Sequence, residues 1–417
     1  MKKQLCIGII VLIILCLCSC TNLINPDEEI LEGKTSDTIV LPNAELSDVS
    51  SEHCITQLPN DNFKILDILN DNYYGYKSTE QNSKLEEEYI FINSDNNTQK
   101  SLNYEKGTEE WIIGSGSTIV MGNRFHYEWK SFTQKMTEDK LQDVRLIRID
   151  GQSGNVEIID KVKQTSPFIY LCKIDEEHFL SYSLTQTDSQ KTDYAVISSA
   201  SIYNIQGDKV EIINEKYEND ENWSNSEGIL IEKFAANHNE LYGYGRKKID
   251  NKYEHFLYHY DLNGKLIEEE QLNGFDEIIG SEQPIDFHYV GDYIAFRTYE
   301  SVSNYICRKD GNTVELIMKG MDGQVQYAVT SKYILFIENN VDVYTDKIKE
   351  IECPLYVINT NESLIKAINL NIPIDNPYFI ELLSISNDSV VLSYCEKEYN
   401  PLSIQKFLID YSIIETL

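Results

Sequence analysis

Positive charge is the first thing this sequence is short of. Its 417 residues carry 36 lysines and arginines against 68 aspartates and glutamates, a net charge of −32. A surface of that sign repels phosphate backbones and anionic headgroups, so a nucleic-acid partner and electrostatic attachment to a bilayer are both excluded. Apolar runs long enough to cross a membrane are lacking too. Leu5–Leu17 is 13 residues, against the ~20 that a spanning helix needs. The nine cysteines include no C-x-x-C pair, which excludes the usual zinc and dithiol frameworks. There is no G-x-S-x-G elbow, no H-E-x-x-H and no phosphate-binding loop, so no local catalytic motif is present and no cofactor is implied. Amphipathic runs of three helical turns with caps are absent as well, leaving strands as the main element.

What is present begins with Met1–Cys20. Lys2 and Lys3 precede the short apolar run, the order of a secretory signal peptide. Leu17-Cys18-Ser19-Cys20 resembles the bacterial lipobox: an aliphatic residue three places before a cysteine and a small one directly before it. The resemblance implies cleavage after Ser19, a diacylglycerol thioether on Cys20, and residence at the bacterial cell membrane facing outside the cytoplasm. Membrane contact is then expected through the lipid on Cys20. Cys6, Cys16 and Cys18 leave with the signal, so five cysteines remain: Cys54, Cys172, Cys307, Cys353 and Cys395. Their odd number and wide spacing predict unpaired, mostly buried thiols.

The expected organisation is a signal peptide over 1–19, the lipidated cysteine with an acidic tether over 20–58, and one body over 59–417. Residues 21–58 hold eight acids and one base, with Pro26 and Pro42 interrupting; such a segment reaches about 30–35 Å when flexible. Within it Thr38–Leu41 is the one apolar patch, a candidate stray strand. The body has the apolar content for a packed core, and its 28 tyrosines suit half-buried strands, where the ring packs and the hydroxyl reaches water.

One theme recurs through the body: a polar residue, two apolar ones, a small or apolar one, then usually an aromatic. It is seen at Asn72-Tyr-Tyr-Gly-Tyr76, Thr118-Ile-Val-Met-Gly122, His178-Phe-Leu-Ser-Tyr182, Glu240-Leu-Tyr-Gly-Tyr244, Asp292-Tyr-Ile-Ala-Phe296, Lys332-Tyr-Ile-Leu-Phe336 and Ser389-Val-Val-Leu-Ser393. Each copy is expected to be the inner strand of its unit. Further strand patterns follow, such as Val144–Ile149 and His255–Tyr260, with Asp150-Gly151, Asn263-Gly264 and Asp310-Gly311 as hairpin turns. About four short strands every 40–62 residues is the mark of a β-propeller. The prediction is therefore an all-β ring of about seven four-stranded blades, with six or eight as alternatives. The chain resembles bacterial β-propeller lipoproteins in this pattern, without the Trp-Asp or Gly-Gly signatures of two common subfamilies.

Candidate chemistry is sparse. His255 and His259 are four apart, which in a strand means about 13 Å, too far to share a metal; both read as half-exposed strand residues. His178 and His288 flank apolar runs near presumed inner strands and are candidates for a central channel. Glu86–Glu88 and Glu268–Glu270 read as solvated edge charges, and Asp261-Leu-Asn-Gly264 reads as a hairpin turn. The catalytic, cofactor and metal site sets are therefore empty, and Cys20 is the one assigned site, for lipidation. The expected role is a binding or scaffold module for a protein, peptide or glycan partner, with contacts on loops such as Thr133–Gln142 and Thr185–Thr192. The alternative is a propeller hydrolase acting on a sugar or lactone with channel carboxylates, a reading that fold analogy alone supports.

Overall fold

The computed structural model describes residues 45–47, 55–57, 63–70, 72–81, 84–93, 98–102, 111–133, 142–164, 169–186, 195–214, 230–249, 252–280, 282–298, 301–321, 325–338, 341–342, 347–348, 354–361, 364–369, 379–385, 389–395 and 404–409. The signal segment, Cys20, Thr38–Leu41 and most of the two long loops lie outside the described residues.

Alternating apolar and polar residues around Gly- and Asn-bearing turns produce antiparallel hairpins throughout. Among the described residues these make six four-stranded sheets and one five-stranded sheet, with a separate two-stranded hairpin at Val341–Asp342 and Lys347–Ile348. Blade 1 starts at Phe63–Leu69, blade 2 at Trp111–Met121, blade 3 at Ile169–Lys173 and blade 4 at Leu230–Asn237. Blade 5 starts at Pro284–Val290, blade 6 at Val325–Val329 and blade 7 at Phe379–Ile385. Successive sheets touch all the way round, and the first strand of blade 7 lies against that of blade 1. The sheets therefore close into a ring of seven blades, the first strand of each innermost.

The apolar core is divided among the blade interfaces. In Tyr293–Thr298 of blade 5, Tyr293 and Ala295 join the cluster shared with blade 6, whereas Ile294 and Phe296 join the one shared with blade 4. A strand buried on both faces has no polar stripe, because successive side chains point to opposite sides and both sides are interior. A short helix, Phe275–Ile279, plugs the blade 4–blade 5 interface with Phe275 and Ile279. Interfaces are also pinned by hydrogen bonds. Asn72 of blade 1 donates to the Gly151 carbonyl of blade 2 over 3.0 Å, and Asn237 of blade 4 exchanges two bonds with the Gly291 backbone of blade 5. A side chain at Gly151 would collide with Leu69, its ideal Cβ falling 2.3 Å from the leucine's.

Two expectations are corrected here. The recurring aromatic theme marks the second strand of six blades, not the inner one; only in blade 2 does it fall on the first strand. Second strands have a hydrogen-bonded neighbour on each side and a blade against each face, so they are the most apolar. Innermost strands border the channel and tolerate polar residues. The boundary at residue 59 also moves. Ile55–Gln57 pairs antiparallel with Phe407–Ile409 and supplies the outermost strand of blade 7, while Glu45–Ser47 pairs parallel with Lys366–Ile368 as a fifth strand of blade 6. Part of the expected tether is thus sheet: blade 7 receives only three strands from the C-terminal end of the chain, and its open edge is completed by residues from before blade 1.

Candidate functional site

The innermost strands of blades 4 and 5 each carry a bulge, between Ile231 and Lys233 and between Pro284 and Asp286. In both, the charged residue after the bulge sits four residues before the last pair of its hairpin, Asn237↔Glu240 and Val290↔Tyr293. A bulge re-aims the side chains that follow it, and here adjacent blades present a lysine and an aspartate at matching positions beside the ring axis.

Lys233 is 4% exposed. Its ammonium lies 5.0 Å from the ring centroid of Tyr170, on the innermost strand of blade 3, and has no hydrogen-bond acceptor among the described residues. Burial lowers the ammonium to about 8, against the opposing charges of Asp286 and Glu232. Asp286 is more open. Its Oδ1 accepts the Tyr327 hydroxyl of blade 6 at 2.6 Å and the Arg297 backbone N–H at 2.9 Å, and its Oδ2 stands 3.7 Å from the Arg297 guanidinium. Burial, then the charge of Asp286, raises the Tyr170 hydroxyl, so the aspartate on blade 5 is felt on blade 3. Tyr170 stacks on Tyr182, with centroids 5.3 Å apart. His288, two residues beyond Asp286, keeps part of its surface accessible, yet burial lowers it, with Asp286 opposing. Cys172, two beyond Tyr170, is likewise partly accessible while burial raises its thiol to about 12. Tyr170, Lys233, Asp286 and Tyr327, on the innermost strands of blades 3, 4, 5 and 6, therefore form one polar and aromatic patch.

A second charged cluster is sealed between blades 1 and 2. The second strand of blade 2, Phe125–Thr133, turns Tyr127 and Trp129 toward blade 3 and His126, Glu128 and Lys130 toward blade 1. His126 Nδ1 lies 2.7 Å from Asp67 Oδ2, and Lys130 Nζ lies 2.9 Å from Glu128 Oε2 and 3.6 Å from the Tyr89 ring centroid. The Tyr74 hydroxyl donates to Glu128. All four charged residues are under 5% exposed. Burial pulls His126 down, but hydrogen bonds to Asp67 and Glu128, with their charges, outweigh it and lift the imidazole to about 9. Burial pushes the Glu128 carboxyl up, yet the charge of Lys130 and the contact with His126 hold it at about 2. Burial also raises Asp67 against His126, so one proton stays on that pair through the neutral range. With no open face, this chain of alternating charges serves to join blades.

The histidines divide accordingly. His288, a channel candidate, is partly accessible and packs edge-on against Tyr327 of blade 6, with ring centroids 6.2 Å apart. His178 instead lies half-buried in its hairpin turn, with Nδ1 3.0 Å from the Asp175 carboxylate. His255 is corrected from half-exposed to buried: it bonds the Tyr244 hydroxyl at 2.8 Å, packs on Phe275 and is held neutral, lowered to about 3 by burial and by Arg246. His259 is partly exposed, 3.4 Å from Glu240. Asp261 accepts the backbone N–H groups of Asn263 and Lys265, a hairpin turn as expected. Cys172 and Cys307 carry free thiols; Cys54 and Cys353 lie outside the described residues. The sequence reading missed Lys233, Asp286 and the blade 1–blade 2 cluster. The available signals were Glu232-Lys233 inside an apolar run and the alternation His126-x-Glu128-x-Lys130 inside an aromatic one.

No family model matches the chain, and no curated protein matches it in sequence. Solved structures with a similar architecture include a prolyl endopeptidase, 10% identical with a TM-score of 0.46 over 83% of this chain and 46% of that one. An acylaminoacyl peptidase of Pyrococcus horikoshii is 10% identical with a TM-score of 0.43 over 80% and 50%. A putative 6-phosphogluconolactonase of Bacteroides fragilis is 10% identical with a TM-score of 0.36 over 86% and 95%. The chain spans about half the length of the two peptidases.

Proposed function

We propose that this chain is a bacterial lipoprotein, anchored outside the cytoplasm through a lipid on Cys20, whose propeller binds a protein, peptide or glycan partner. The anchor rests on the Met1–Cys20 sequence; among the described residues no helix is long and apolar enough to cross a membrane. The binding reading is carried by one observation: a lysine ammonium without a hydrogen-bond acceptor, an open carboxylate and a stacked tyrosine pair come together from the inner part of three blades. Such groups on a rigid frame bind polar ligands at little ordering cost. Labelled fatty acid should be incorporated into the wild type and not into Cys20→Ala, which should accumulate as precursor. Affinity capture from solubilised membranes should retain a partner on the wild type and lose it on Lys233→Met/Asp286→Asn; capture unaffected by that double variant would count against the channel as the contact.

The hydrolase reading retains one supporting observation, the Asp286 carboxylate in the channel. Glycoside hydrolysis needs a second carboxyl about 5–9 Å away; the direct contacts of Asp286 are with Tyr327 and Arg297. Turnover of a chromogenic glycoside or lactone, abolished in Asp286→Asn, would favour that reading.

A further inference from the structure

The channel patch has a defined set of unmet requirements. Lys233 is a cation buried to 4% exposure with an aromatic ring beside it and no acceptor among the described residues. Moving an ammonium out of water costs several kcal/mol unless it is paired, and Asp286 does not pair with it: that carboxylate is taken up by Tyr327 and Arg297. An ammonium so placed is complemented by an anion, and a carboxylate forms charge-assisted hydrogen bonds with it. Asp286 Oδ2 keeps acceptor capacity, and His288, uncharged and without a hydrogen-bond partner among the described residues, offers a donor and an acceptor. These atoms suit hydroxyl groups. Tyr170, stacked on Tyr182 and lying under the ammonium, fixes where Lys233 sits.

We propose that this site takes a sugar acid, with the ligand carboxylate on Lys233 and its hydroxyls on Asp286 and His288. The inference rests on the binding-module reading and narrows it to a ligand class. The chain's net charge of −32 works against polyanions but not against this contact: beyond about 8 Å the protein's field is screened at physiological salt, so one carboxylate meets mainly the local cation.

The test titrates the detergent-solubilised full-length protein with glucuronate, glucose and acetate by saturation-transfer NMR and calorimetry. Glucuronate is expected to bind with a Kd below about 5 mM and at least about tenfold more tightly than glucose, which lacks the carboxylate, or acetate, which lacks the hydroxyls. Lys233→Met, which keeps length and apolar bulk, should weaken glucuronate at least about tenfold. Should that variant misfold, a second readout needs none: glucuronate, and not glucose, should slow acylation of the Lys233 amine in the wild type, read by peptide mass spectrometry. Absence of glucuronate binding at about 20 mM, equal binding of glucose or acetate, or unchanged binding by folded Lys233→Met would each overturn the proposal. Partner capture separates the two readings. A wild type that captures a partner but does not bind glucuronate keeps the binding module and removes the sugar-acid site; a wild type that does neither removes both.

Discussion

His126→Ala should be among the most damaging single substitutions in the ring. The imidazole is fully buried, bonded to Asp67 at 2.7 Å and 3.6 Å from Glu128. Removing it leaves the Asp67 carboxyl without its partner in an interface closed to water. Breaking a buried pair from one side costs about 3–5 kcal/mol, because the surviving charge is uncompensated. Replacing both partners, as in Asp67→Leu/His126→Leu, should recover most of that loss, since Glu128 keeps Lys130 and the Tyr74 hydroxyl. The pH dependence gives an independent measure. His126 is raised to about 9 in the fold against about 6.5 in an unfolded chain. A raised basic group contributes stability that is fully present below the unfolded value and is lost as pH rises through the folded one. The gap corresponds to about 3 kcal/mol, an order-of-magnitude figure for one proton shared with Asp67. The assay is urea unfolding followed by tryptophan fluorescence. Trp129 is a local reporter, on the same strand and bonded to Ser181 across the next interface at 2.9 Å. Between about pH 6.5 and pH 9 the wild type should lose stability that the double leucine variant does not lose. A His126→Ala protein within about 1 kcal/mol of wild type, or a double variant no better than the single, would refute the reasoning.

Other consequences follow from the packing. Ile334, wholly buried between blades 5 and 6, should on change to Asp cost several kcal/mol and shift the Trp129 transition with the rest of the ring, whereas Asp310→Asn, on an exposed turn, should stay within about 0.5 kcal/mol; independent melting of blades would show as an unmoved Trp129 signal. Deleting residues up to 58 removes three cross-strand pairs from blade 7 and three from blade 6 and should lower stability by about 1–3 kcal/mol, measured as a drop in Tm against a deletion ending at 44; equal Tm values would mean that the edge strands contribute nothing. Cys307, wholly buried with its thiol raised by burial, and Cys172, raised to about 12, should resist alkylation in the native protein and react completely once it is denatured without reductant. A disulfide to either residue in a non-reduced digest would contradict the free thiols.

The all-β class and the repeat were legible because second strands are buried on both faces, and that demand writes itself into local sequence as Leu-Tyr-Gly-Tyr or Tyr-Ile-Ala-Phe. The same rule explains the slip in blade 2. Its second strand holds His126, Glu128 and Lys130, whose burial is compensated by partners on blade 1, so the apolar theme passed to the preceding strand. Asp261 and Gly264 were readable as a turn because a hairpin is closed by neighbours in sequence. The environment of His255 was not, since Phe275 and Arg246 reach it only through pairing and packing.

By itself, then, the chain's sequence determined what short-range physics controls: strand periodicity, hairpin turns, the absence of local catalytic motifs, and the net acidity. Tertiary structure decided what depends on closing the ring. Residues 55–57 became the last strand of blade 7 because an open sheet edge must be paired, and no local feature of those residues states which edge. Lys233 and Asp286 came near each other because equivalent bulges occur on the innermost strands of consecutive blades, with Tyr170 and Tyr327 arriving from the blades on either side. No segment by itself states which others these residues join, and the chemistry they form exists only where four separated strands are brought within reach of one another.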